Sequence, residues 1–88
     1  MSTSLRVRCK RGVVLVLHAW DGMPMPEEAL VSAVQAHARP QAPTESDVLE
    51  ALRDCEAAGL VTGVTDDFSG ERSWSLTTKG EHQARQMR

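Results

Sequence analysis

The sequence has no tyrosine and a single phenylalanine, Phe68; with Trp20 and Trp74 these are its only aromatics, 3% of the chain. Long hydrophobic runs are missing too. The longest unbroken one, Val13–Leu17, has five residues, where a membrane-spanning helix needs about twenty. A basic stretch precedes this run, but the run is short for a secretory signal and no small-residue cleavage site follows it cleanly. These absences point to a cytoplasmic protein with no membrane partner. Cysteine is scarce: Cys9 and Cys55 lie far apart with no CxxC spacing, the usage of reduced core residues. His18, His37 and His82 fall on different expected helices, and no pair has metal-ligand spacing. There is no nucleophile motif, glycine-rich phosphate loop or dense carboxylate pair, and nothing orients Ser46 and His37 as a catalytic pair. No enzyme activity, metal or cofactor is expected.

An excess of positive charge is also absent. Ten Lys and Arg against twelve Asp and Glu leave a net charge of −2 over 88 residues, so overall charge makes no argument for a nucleic-acid partner. The distribution is uneven. Residues 1–20 carry Arg6, Arg8, Lys10 and Arg11 with no acid, whereas residues 21–59 carry eight acids against Arg39 and Arg53. Asp66 and Asp67 follow, and the tail from Glu71 is basic again. The length allows one small domain, 1–88, with residues 1–4 expected to be flexible.

What is present is periodic. Leu5, Cys9, Val13, Val16, Leu17 and Trp20 recur at helical steps, with Trp20 read as core and Asp21-Gly22 as the stop. Leu5, Val7 and Cys9 also alternate with Arg6, Arg8 and Lys10, so part of this segment has a rival reading as strand. Pro24-Met-Pro26 is extended, and Pro26 suits the first turn of a second helix whose stripe is Leu30, Val31, Val34 and Ala38, stopping before Pro40. After the short loop Pro40–Pro43, Thr44-Glu-Ser-Asp47 resembles a capping box, with Asp in place of the usual Glu. It opens a third helix, with Val48, Leu49, Leu52, Cys55 and Ala58 inward and Gly59 ending it. Leu60–Val64 and Arg72–Leu76 read as a hairpin around an Asp-, Ser- and Gly-rich turn, with Trp74 and Leu76 on one face. Thr77 caps a last helix reaching about Met87.

Val48–Val61 followed by Trp74-Ser-Leu-Thr-Thr-Lys-Gly80 resembles the winged helix-turn-helix superfamily. Leu49, Leu52, Gly59, Leu60, Val61, Trp74, Leu76, Thr77 and Gly80 fill that family's positions. The resemblance spans about residues 6–86. It implies an α+β, mostly α, fold: a three-helix core, a β-hairpin wing and a C-terminal helix. It further implies duplex DNA binding, with the third helix (about 44–58) in the major groove and the wing (about 60–76) against the backbone or minor groove. A transcriptional regulator or a phage- or plasmid-type accessory factor would fit, dimerising through the first and last helices.

On that reading the candidate DNA contacts are Thr44, Ser46, Arg53 and Arg72, flanked by Arg6, Arg8, Lys10 and Arg11. The wing tip offers Asp67, Phe68, Ser69 and Gly70. The other reading of the flanking cations is a solvated basic face or salt bridges to the acidic middle of a neighbouring copy. Phe68 is read as folding back on the hairpin, its alternative being a contact residue. The exposed positions expected on the third helix, Glu45, Asp47, Glu50, Ala51, Arg53, Asp54 and Ala57, hold four acids and one arginine, a poor match to phosphate. That motivates a second reading: a winged-helix interaction module whose acidic third helix docks a basic protein.

Overall fold

The computed structural model describes residues 3–20, 23–38 and 42–87. Helix α1 (Thr3–Ala19) is followed by strand β1 (Met25–Pro26), helices α2 (Glu27–His37) and α3 (Glu45–Ala57), strands β2 (Val61–Thr65) and β3 (Arg72–Leu76), and helix α4 (Thr78–Gln86). The architecture is α+β and mostly helical, as expected. The expected stops at Asp21-Gly22 and Pro40, together with Met1, Ser2, Arg39 and Arg88, lie outside the described residues.

α1 is helical throughout, including Leu5–Cys9. A strand would have put Leu5, Val7 and Cys9 on one face. Instead Cys9, Val13 and Leu17 are buried at four-residue steps while Val7 is 40% exposed. Trp20 corrects the sequence reading: it is 46% exposed. It follows the last helical residue, with its N–H on the Val16 and Leu17 carbonyls, and past the helix end the helical period no longer dictates side-chain direction. α2 buries Leu30, Val31 and Val34. Pro26 sits one place earlier than expected, as the N-cap.

α3 is rotated from its expected face. Val48, Ala51, Leu52 and Cys55 are buried, Leu49 is half-buried and Ala58 exposed. Ala51 was expected outside. α1 crosses on this side, close enough for the Cys55 thiol to lie 3.9 Å from the Lys10 carbonyl, and small side chains allow such an approach. The start of α3 is the expected reciprocal cap: the Thr44 hydroxyl accepts from the Asp47 amide and the Asp47 carboxylate from the Thr44 amide. Gly59, at φ +78°, lets the chain leave the helix.

The strands form one antiparallel sheet in the order β1-β3-β2. The extended piece around Met25 is thus a third strand, pairing Met25 with Trp74 and Pro26 with Ser73. Trp74 is 2% exposed and the largest buried side chain. It joins Leu17, Leu30 and Leu52 in a single core covered by the sheet and all four helices. Burying each such side chain contributes roughly 1.5–3 kcal/mol. Among the described residues no helix is long and apolar enough to cross a membrane.

Candidate nucleic-acid interface

The sequence places arginine at one position on α3 and one on the hairpin, and the fold brings them together. Arg53, exposed on the second half of α3, and Arg72, at the start of β3, line one groove of about 510 Å³ between α3, the hairpin and the N-terminus of α2. Leu49, half-buried at the edge of the core, lines it as well. The Arg72 guanidinium lies 5.5 Å from the centre of the Trp74 ring, a cation–π distance that stiffens the arginine without discharging it. Glu27, Glu28 and Glu71 share the groove, so its two cations face three carboxylates. One of these is engaged: the Trp74 indole N–H donates to Glu27 Oε1 at 3.1 Å.

Thr44 and Ser46 stand at the start of α3, both exposed. Thr44 is occupied by the cap: its hydroxyl oxygen accepts from the Asp47 amide at 3.2 Å. Asp47 is half-buried and Asp54 likewise, leaving Glu45, Glu50 and Glu56 as the exposed acids of α3.

The cations of α1 are on a different side. Arg6 Nε is 3.1 Å from Asp54 Oδ2, an exposed pair joining α1 to α3. Arg8 donates to the Ala38 carbonyl at the end of α2, at 3.3 Å. Lys10 is half-buried and Arg11 exposed. These four residues do not line the Arg53–Arg72 groove.

At the wing tip, Phe68 does not fold back; it is 100% exposed. It stands in the turn beyond the last strand pair, Thr65 with Arg72. The turn is instead held by Asp66, which the sequence reading passed over. Its carboxylate accepts from the Ser69 hydroxyl at 2.7 Å and from the Phe68 and Ser69 amides. These bonds, led by that from the Ser69 hydroxyl, hold its pKa below the ordinary value. The spacing Asp66-x-x-Ser69 is a side-chain-to-backbone turn signal and was readable. Gly70 completes the turn at φ +74°.

Two further contacts were not legible. Lys79 donates to the Ala58 carbonyl at 2.8 Å, a C-terminal cap of α3 supplied from α4. His18 and Glu81 approach to 3.3 Å, tying α1 to α4 within one chain. With Ala84 buried between these helices' core residues, the outward positions of α4 are polar: Lys79, His82, Gln83, Arg85 and Gln86.

No protein-family model and no curated protein matches the chain. Among solved structures it is similar to the crystal structure of the S. aureus MepR–DNA complex, with a TM-score of 0.67, 22% identity and 89% of this chain covered. The chain spans 59% of the length of that protein. The likeness, together with the α1–β1–α2–α3–β2–β3–α4 order described above, makes this chain a winged-helix fold.

Proposed function

We propose that this chain binds duplex DNA as a small regulator, of the transcriptional or phage- and plasmid-accessory kind, acting in the cytoplasm. The observation that carries the reading is the convergence of Arg53 of α3 and Arg72 of the hairpin on one groove, in a chain similar in fold to a protein solved as a DNA complex. α3 enters the major groove with Ser46 toward base edges. Arg53 and Arg72 contact phosphates on either side of the α3–wing groove. Arg11, with Arg6, Arg8 and Lys10, reaches the flanking backbone. Phe68 and its neighbours Asp67, Ser69 and Gly70 form the part of the wing nearest the minor groove. Two copies would double the few phosphate contacts that one such domain offers.

The test is fluorescence anisotropy on random-sequence duplex DNA at low and moderate salt. Binding that weakens steeply with salt supports the reading, and the slope counts the phosphates neutralised. Arg53→Ala and Arg72→Ala should each lower that slope by about one. No binding even at low salt would move the reading to its rival.

That rival rests on a specific observation. Glu27, Glu28 and Glu45 line a second groove, between α2 and α3, and Glu50 is a further exposed acid of α3. This acidic face suits a basic protein partner better than phosphate.

A further inference from the structure

The two edges of the sheet are protected to different degrees. β1 is two residues long and ends in proline, which blunts an edge because a short strand without a donor templates no partner. β2, the opposite edge, reads Val-Thr-Gly-Val-Thr. It has no charge, no proline and high strand propensity, and among the described residues it pairs with β3 alone. Val64 on its outer face is 62% exposed.

The direction of its backbone groups follows from the ladder. Asp66 donates to the Glu71 carbonyl and Thr77 to the Leu60 carbonyl. These two pairs fix the alternation for the whole β2–β3 register. Thr62 and Val64 turn their N–H and C=O groups toward β3. Val61, Gly63 and Thr65 turn theirs to the open edge.

We propose that this edge pairs antiparallel with the same edge of a second copy of the chain, on a two-fold axis at Gly63. The outward residues are symmetric about position 63. Gly63 therefore exchanges both bonds with Gly63 of the second copy, and Val61 with Thr65 at each end. No outward backbone group in the strand is left over. Thr62 falls opposite Val64 of the second copy, a pair of strand-forming side chains that covers the exposed valine. The ends match in charge. Beyond β2, Asp67 makes none of the turn's side-chain hydrogen bonds, which belong to Asp66 and Ser69. Asp67 lies in the turn just past β2 and Gly59 at the exit of α3, so the pairing brings the turn bearing Asp67 toward the α3 exit of the second copy, beside which lies the side chain of Lys79. Symmetry makes this approach of opposite charges twice. The proposal stands apart from the DNA reading and is tested without DNA.

Sedimentation of the full chain over a wide concentration range should give a monomer–dimer equilibrium. Thr62→Lys with Val64→Lys places lysine opposite lysine at two exposed positions and should leave a monomer with an unchanged melt. Asp67→Lys, at a residue that bonds to nothing in the turn, should weaken the dimer roughly tenfold by reversing its two rim charges. Amide exchange gives an independent readout on the unaltered chain. Gly63 and Thr65 amides should gain protection as concentration rises, while Thr62 and Val64 amides stay protected throughout. A monomer at every concentration would overturn the proposal. So would a dimer that survives the lysine pair, or Gly63 and Thr65 amides indifferent to concentration.

Discussion

The backbone of Gly80 lies directly against the carbonyl of Leu60. A β-carbon at position 80 would overlap that oxygen and would stand 2.9 Å from Leu76 Cδ2. This contact seats α4 on the start of the wing, with the Thr77 hydroxyl capping the helix at the Gly80 amide and the Thr77 amide donating to Leu60. Gly80→Ala should therefore cost about 3 kcal/mol or more, because the obstacle is backbone and cannot rotate away. Gly70→Ala, where a β-carbon meets nothing within 4 Å and only the positive φ opposes it, should cost about 1–2 kcal/mol. Urea melts of the two variants check the order; equal losses would contradict the close approach.

Trp74→Ala should cost about 3–5 kcal/mol, enough to unfold a domain of marginal stability. Glu27→Ala, which removes only the acceptor of the indole N–H, should cost about 1 kcal/mol. Thermal melts followed by circular dichroism distinguish them. A cooperative Trp74→Ala melt near that of the unaltered chain would remove Trp74 from the core.

The cap at α3 shows what the sequence could carry. Thr44 and Asp47 are three residues apart, so their reciprocal bonds are a local property, as are the Gly59 exit, the stripe of α2 and the hairpin face bearing Trp74. What the sequence could not carry depended on neighbours. Ala51 is buried because it joins the core shared by the helices and the sheet, Trp20 is exposed because the helix ends before it, and Phe68 is exposed because it stands at the turn tip, past the last strand pair at Thr65 and Arg72. The pairing of Arg53 with Arg72 in one groove links residues on separate elements and has no local signature.

Thr44→Ala and Asp47→Ala should each cost about 1 kcal/mol. Because the two bonds are halves of one cap, the double variant should lose less than the sum. A double-mutant cycle from urea melts measures the difference.

The role of Asp47 also decides how the two functional readings are separated. Reversing its charge would break the cap and confuse binding with folding. Glu45→Lys with Glu50→Lys changes only exposed side chains. It should tighten binding to random duplex DNA and steepen the salt slope if α3 faces phosphates. If a basic protein docks on α3, it should abolish that association instead. Anisotropy with labelled duplex and with a polybasic peptide reads both.

Asp66 and Cys55 give pH dependences of opposite sign. Asp66 has a lowered folded pKa, so its contribution to the wing turn is present above the ordinary value of 3.8 and is lost as pH falls through the folded one. Ser69 amide exchange should speed up over that acid range, and Asp66→Asn should remove the transition. Cys55 runs the other way. Burial pushes its thiol up to about 11 from 9.0, so the stability it confers is complete below pH 9.0 and is lost as pH rises toward about 11. At neutral pH the buried thiols of Cys9 and Cys55 should resist alkylation until the chain is denatured.

The position of Trp74 gives the groove an optical signature. Its ring lies beneath Arg72, its N–H is held by Glu27, and it is part of the groove wall that Arg53 shares. Whatever settles against those charges alters the local field at the indole and shifts its emission. Trp20, half in water and outside that wall, emits to the red and stays constant. With no tyrosine in the chain, the two indoles supply nearly all the intrinsic fluorescence, one as probe and one as internal standard, so occupancy of the groove can be followed without any label.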